Sequence, residues 1–191
     1  RHGVMPLSWS MDTGGPITRS VEDSAVLLEV MAGYDPYDQQ TSKLPVPKYT
    51  DSLANGISGM RIGLLREFMD PQFVDQEVID AVRTAIKLLA DYGAVVEDVS
   101  LPMLQKVGLA AGPVTSNDAG HVHLDRLRKT PDIYSPRSRT KFLAGALIPS
   151  QTLQQANRLR TIMRYQWLEL FNKFDVVVSP TILYKMNQVR Y

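Results

Sequence analysis

The sequence predicts an α/β fold. Three observations carry that prediction: an apolar run over residues 59–65, an amphipathic helix pattern opened by Asp75 and stopped by Gly93, and a β-branched run over residues 94–99. A strand, a helix and a strand with short connections form a βαβ unit, and the two strands of such a unit pair in parallel. A third run, Asp175-Val176-Val177-Val178, closed by Ser179-Pro180-Thr181, is predicted to add a strand.

The other elements follow in chain order. The opening string RHGVMPLSWSMDTGGP crowds Ser8, Ser10, Asp12 and Thr13 against Gly14-Gly15-Pro16. Glycine freedom followed by proline stiffness makes a turn. Ser20 then caps a helix with Glu22 and Asp23 in its first turn, where the helix dipole favours acids. Ala25, Leu28 and Ala32 form its apolar stripe, widened by Val26, Leu27, Val30 and Met31, and Gly33 ends it. Residues 34–58 carry Pro36, Pro45 and Pro47 and read as a surface loop excursion. In the helix after Asp75, the stripe is Val78, Val82, Ile86 and Leu89.

Beyond the βαβ unit, Leu101 to Val122 reads as helix around Gly112-Pro113. Residues 125–141 read as a polar, basic stretch, and Phe142 to Leu147 as a short helix halted at Pro149. Ser150 is expected to cap the longest helix, reaching about Phe174, with Ala156, Leu159, Met163, Trp167, Leu170 and Phe174 as its stripe. Residues 182–191 carry no clear signal. The whole of residues 1–191 reads as a single α/β region.

Composition narrows the function classes. The 191 residues are 44% hydrophobic, enough for a sizeable core, and 21 basic residues against 20 acidic leave a net charge of +1. Nothing in that balance steers the chain to nucleic acid or an anionic membrane. With no cysteine, a disulfide scaffold, a thiolate metal site and a cysteine nucleophile are excluded. No apolar run is long enough to span a bilayer, no secretory signal opens the chain, and a cytoplasmic setting is expected. A chain starting at Arg1 rather than Met reads as a cut end.

Several side-chain groups are candidates for chemistry. His121-Val122-His123, near Asp118 and Asp125, would face one side if it lay on a strand, but without a third ligand the histidines read as solvated or hydrogen-bonded, and no metal is expected. Arg126, Arg128, Lys129, Arg137, Arg139 and Lys141 form a basic cluster that reads as solvated loop in a neutral chain. The scattered methionines read as core filler. Ser8 and Ser10 lack a base placed by spacing, and a hydroxyl without one is a weak nucleophile. Asp12 fits the role of fixing the turn through backbone amides. On residues alone, the opening string is a structural corner.

The same string resembles the amidase signature family. Gly3-Val4-Met5-Pro6-Leu7-Ser8-Trp9-Ser10-Met11-Asp12, then Gly15-Pro16, Thr18-Arg19-Ser20-Val21-Glu22-Asp23 and Ala32-Gly33-Tyr34-Asp35-Pro36 follow its order. Ala144-Gly145-Ala146-Leu147-Ile148-Pro149 with Arg158 and Arg160, and Phe174-Asp175-Val176-Val177-Val178-Ser179-Pro180-Thr181, continue it over nearly the whole chain. The resemblance implies a mixed, largely parallel sheet with helices on both faces. It implies hydrolysis of a carboxamide by a serine nucleophile, a bridging serine in a cis peptide and a lysine, with backbone amides holding the oxyanion. In the family those three residues lie upstream of this stretch, so no catalytic residue is assigned here and the chain by itself is expected to be inactive.

What the resemblance places in this chain is substrate contact. Leu7 corresponds to a position facing the substrate pocket, and Asn117, Arg139 and Lys141 are carried as substrate-binding candidates. Asp12 and Gly15 are carried as the corner beside the site. No cofactor is implied, and the partner is a small-molecule amide, with a homo-oligomer left open. Two alternatives stand beside a general amidase. One is the glutamine-hydrolysing component of an amidotransferase acting on misacylated tRNA, its A subunit, where a basic residue near Arg139 to Lys141 grips a carboxylate. Against it, Ser116-Asn117 fits that branch but Asp118-Ala119-Gly120-His121-Val122-His123 departs from it. The other is a non-catalytic interaction protein on the same scaffold.

Overall fold

A computed structural model describes residues 1–184. In chain order its elements are α1 (Val21–Met31), β1 (Arg61–Leu65), α2 (Gln76–Asp91), β2 (Val95–Val99), α3 (Val107–Lys129), α4 (Pro136–Ala146), α5 (Ser150–Phe171) and β3 (Val176–Val178), with short 3-10 turns between them. They divide between two compact units, one of Arg1–Asn55 with Ala111–Ala156, the other of Gly56–Ala110 with the chain from Asn157 onward.

The second unit holds the βαβ unit and the third strand that the sequence predicts. Its sheet has the order β2-β1-β3, and both pairings are parallel. Arg61 lies opposite Val95 and Ile62 opposite Val176. Side chains alternate across a strand. Ile62 and Leu64 are therefore buried on one face of β1, and Leu65 on the other. The Leu65 face meets Val99, Leu101, Leu104, Met163, Leu170 and Phe174 in one core cluster, with Leu159 and Trp167 half-buried against it. Leu159, Met163, Trp167 and Leu170 of the stripe expected for the long helix are among them, with Phe174 just beyond the end of α5 and Ala156 outside the cluster. Gly63 makes the fit: a Cβ there would lie 3.1 Å from Val99 and 3.4 Å from the Phe174 ring. Asp175 locks β3 to β1, accepting from the Arg61 N–H at 2.8 Å while its own N–H donates to the Arg61 carbonyl at 2.9 Å. The Asp75 helix buries Ile79 deepest, with the expected stripe of Val78, Val82, Ile86 and Leu89 half-buried beside it, and Gly93 closes it at φ +92.

The first unit holds the opening corner, α1, the loop after it and a helical layer. Ser20 caps α1 as expected, its Oγ accepting the Asp23 N–H at 3.0 Å. Of the apolar face expected for α1, only Ala25 is buried, while Leu28 and Met31 line a cavity and Val30 is 79% exposed. Residues 34–58 contain no strand and no α-helix, only a 3-10 turn at Thr50–Ser52. The loop is nevertheless tied down: Thr50 donates through both its N–H and its Oγ to Glu29 of α1 at 2.8 Å.

The stretch expected to be a basic loop is mostly helix. α3 runs on to Lys129 and places Arg126, Arg128 and Lys129 in its last turn, where the dipole favours cations. α4 starts at Pro136 rather than Phe142, because proline suits the first helical position and Ser135 caps it by accepting the Ser138 N–H. Ser150 is the first residue of α5 rather than its cap, α5 ends at Phe171, and α3 is the longer helix at 23 residues against 22. Of the uninterpretable stretch 182–191, residues 185–191 lie outside the described residues.

The helical layer depends on absent side chains. A Cβ on Gly145 would collide with the Ser116 carbonyl, and one on Gly120 would sit 2.7 Å from the Phe142 carbonyl oxygen. The α3 and α4 backbones touch at these two glycines. Gly145→Ala and Gly120→Ala are each expected to cost about 1–3 kcal/mol, the range for overpacking. Thermal unfolding should register this as a lower Tm, by roughly 2–4 °C per kcal/mol for a chain of this size. Gly112→Ala, whose Cβ meets nothing within 4 Å, is the control and should leave Tm unchanged or higher.

Candidate functional site

The opening corner is built by one carboxylate. Asp12 accepts the Leu7 N–H at 2.7 Å on Oδ2 and the Ser8 N–H at 3.0 Å on Oδ1, while its own N–H donates to the Ser8 carbonyl at 2.9 Å. This satisfies the backbone of a tight turn and gives Asp12 the role read from the sequence. Gly15 keeps ordinary backbone angles, and a Cβ there would meet nothing within 4 Å.

Ser8 is 1% exposed, and its Oγ donates to Asp118 Oδ2 at 2.6 Å. A nucleophile must reach its substrate, and this hydroxyl faces the interior. The bond crosses 110 residues of sequence and pins the corner to α3.

A second tie closes the corner against the loop after α1. Arg1 Nε and Nη2 donate to the two oxygens of Asp38 at 2.8 and 3.0 Å, and Nη1 donates to the Trp9 and Asp12 carbonyls at 3.0 Å. Asp38 is 3% exposed. The Arg1 guanidinium and the Gln40 N–H hold its carboxyl well below the usual carboxylate range. The sequence offers no local signal for this pair or for Ser8 with Asp118, because in each the partners are distant in the chain.

Between the corner, α1 and the loop lies a cavity of about 1140 Å³. Leu7 is part of its wall, as are Met5, Leu28, Met31, Leu44 and Val46. The other substrate-binding candidates are elsewhere. Asn117 donates to the Gly145 carbonyl at 3.3 Å, bracing the α3–α4 contact. Arg139 donates through Nη2 to Asp132 at 3.3 Å, while its Nε is buried with no partner among the described residues. Lys141 is exposed on α4. The structure thus brings Leu7 and Asp12 together and leaves Asn117, Arg139 and Lys141 off the cavity wall.

The histidines fall on α3, not on a strand, so residues two apart point in different directions. His121 is exposed. His123 is buried, stacked on Phe142 at 4.7 Å with its Nδ1 3.0 Å from the Tyr134 hydroxyl. No group of three metal-ligating side chains occurs among the described residues.

The Arg1–Asp38 tie makes stability depend on pH. A carboxylate whose folded pKa is depressed stabilises the fold above its unfolded pKa, near 4, and loses that contribution as pH falls through the folded value. Glu29, held down by the Thr50 donors, and Asp175, held down by Arg61, act in the same direction. Denaturant titrations across pH 2 to 7 are expected to show stability falling below about pH 4. Asp38→Asn should be less stable at pH 7 and fall less steeply, with Glu29 and Asp175 among the carboxylates that keep the remaining slope.

The amidase family profile matches residues 1–190. The chain is 38% identical to an amidase of Pseudomonas putida, over 94% of this chain and 38% of that one. It is 32% identical to the A subunit of the glutamyl-tRNA(Gln) amidotransferase of Shouchella clausii, over 95% of this chain and 42% of the relative. The chain therefore spans about two fifths of the length of these curated relatives. Among solved structures, a protein from a vestigial complex that bears on the origins of an s-triazine catabolic enzyme aligns with a TM-score of 0.90 and 30% identity, covering 100% of this chain and 41% of that one. A bacterial aryl acylamidase of the amidase signature family aligns with a TM-score of 0.76 and 25% identity, covering 88% and 36%. With one family profile matching from the opening corner to beyond the last strand, the chain belongs to the amidase family.

Proposed function

We propose that this chain is the middle-to-late part of an amidase that hydrolyses a linear carboxamide to a carboxylate and ammonia. The nucleophilic serine, the bridging serine and the lysine would be supplied by sequence upstream of Arg1. The observation that carries the reading is the burial of Ser8. The corner serine that invites a nucleophile's role is 1% exposed and bonded to Asp118, so this corner serves as wall rather than as chemistry. Leu7, held by Asp12, is the substrate-facing part of that wall. The two compact units would belong to one amidase domain in the cytoplasm, acting without a cofactor.

A second reading is the glutamine-hydrolysing component of a tRNA-dependent amidotransferase, favoured by the buried Nε of Arg139, which has no partner among the described residues and is a donor a substrate carboxylate would satisfy. Glutamine-dependent transfer, with a second protein copurifying, would support it. The third, a non-catalytic scaffold protein, requires the upstream serines and lysine to be missing from the parent reading frame.

The test is ammonia release from a panel of linear amides by the 191-residue chain and by its parent. The parent should turn over and the chain should not. Turnover by the chain that is lost in Ser8→Ala or in Ser10→Ala would overturn the assignment of the nucleophile to upstream sequence.

A further inference from the structure

The chain first passes from one compact unit to the other at the Asn55–Gly56 peptide bond. This is the one place in the sequence where an asparagine precedes a glycine; the other asparagines precede Asp118, Arg158, Lys173 and Gln188. Both Asn55 and Gly56 are exposed. The chain is tied on either side of them. The Asn55 N–H donates to the Ser52 carbonyl at 3.2 Å, and the Gly59 N–H donates to the Gly93 carbonyl at 2.8 Å. Between these ties, the Asn55 side-chain amide and the Gly56 N–H have no hydrogen-bond partner among the described residues. Gly56 stands at φ +68, and a Cβ there would meet nothing within 4 Å, so the approach to its nitrogen is open.

An asparagine side chain has the length to close a five-membered ring with the backbone nitrogen of the next residue. Two things ordinarily prevent it. A side chain on that next residue crowds the nitrogen, and a hydrogen bond from its N–H must first be given up. Gly56 has neither obstacle. Asn172 shows the contrast: it is exposed, but Lys173 follows it, and the Lys173 N–H donates to the Leu170 carbonyl at 2.9 Å.

We propose that Asn55 is a site of spontaneous covalent modification at the junction of the two units, with the Gly56 backbone nitrogen as the attacking group. The nitrogen gives its proton to base and attacks Asn55 Cγ. The new N–Cγ bond closes a succinimide, the Cγ–Nδ2 bond breaks, and the leaving nitrogen takes up a proton and departs as ammonia. Water then opens the ring. Cleavage at Cγ restores the ordinary main chain and leaves an aspartyl side chain. Cleavage at the Asn55 main-chain carbonyl leaves an isoaspartyl linkage, which lengthens the main chain by one methylene between the units. The net change is water taken up and ammonia lost, with no oxidant or cofactor. Either product carries one added carboxylate and takes the formal net charge from +1 to zero, where repulsion between molecules is weakest.

The test is incubation of the folded 191-residue chain in mildly alkaline buffer, followed by digestion and liquid chromatography with mass spectrometry of the peptide that contains Asn55. A synthetic peptide of residues 50–60 is incubated in parallel. The chain should convert within about threefold of the peptide's rate, because an exposed junction needs no local opening before attack. Two products of one mass, the aspartyl and the isoaspartyl forms, should separate on the column, and both should form faster as pH rises. Asn172 should convert more slowly than Asn55. Asn55→Gln, which can close only a six-membered ring, should stop conversion at this position on the same timescale and remove the acidic form seen by ion exchange. Circular dichroism confirms that this variant, altered at an exposed position, is folded. The proposal is overturned by an Asn55 that stays intact in the chain, by a single product, by conversion first at Asn172, or by an acidic form that appears unchanged in Asn55→Gln.

Discussion

The carboxylate of Asp12 is the interaction on which the first unit depends. By accepting the Leu7 and Ser8 N–H groups it turns the chain within a few residues and fixes where both side chains go. Successive residues in such a turn point apart. Leu7 goes to the cavity and Ser8 goes inward to Asp118. Arg1 then closes the corner from behind, joining the Asp12 carbonyl to the Asp38 carboxylate. The buried ion pair holds geometry more than it adds stability, since desolvating two charges offsets much of their attraction.

The second unit depends on a different constraint, close approach without side chains. β1 is flanked by parallel partners, and its Gly63 leaves the space that Val99 and the Phe174 ring fill. The same device recurs in the first unit, where Gly120 and Gly145 let two helices meet at backbone distance. Asn117 turns that contact into a bonded one by reaching the Gly145 carbonyl. A residue carried as a substrate contact thereby has a structural task in this chain, as has Arg139 through Asp132.

The cavity's chemistry follows from these ties. A wall built of Arg1, Asp12 and Asp38 would be polar if its charges were loose. Because each of these three charges is engaged in holding the corner and the loop, Leu7, Leu28 and Met31 share the open wall with its polar groups rather than with loose charges. Burial of Ser8 and exposure of Leu7 are two outcomes of one turn.

Periodicity and local chemistry are sufficient for much of this protein. The βαβ unit, its parallel pairing, the Ser20 cap, the Gly93 stop and the stripe from Leu159 to Phe174 depend on contacts between near neighbours or on faces with a fixed repeat. The Asp12 turn is legible for the same reason, its partners being four and five residues away. The helix from Pro136 and the run of α3 to Lys129 are not, because polar, basic composition hides a helix whose inward face is only a few residues wide, here Leu127 and Phe142. The pairs Arg1 with Asp38 and Ser8 with Asp118, 37 and 110 residues apart, lie beyond any local rule. Sequence determined the three strands, the helices opened by Ser20 and Asp75 and the Asp12 corner; only the tertiary structure decided which serine is buried, which charges are engaged and which leucine faces open space, because those depend on what the fold brings to each side chain from far along the chain.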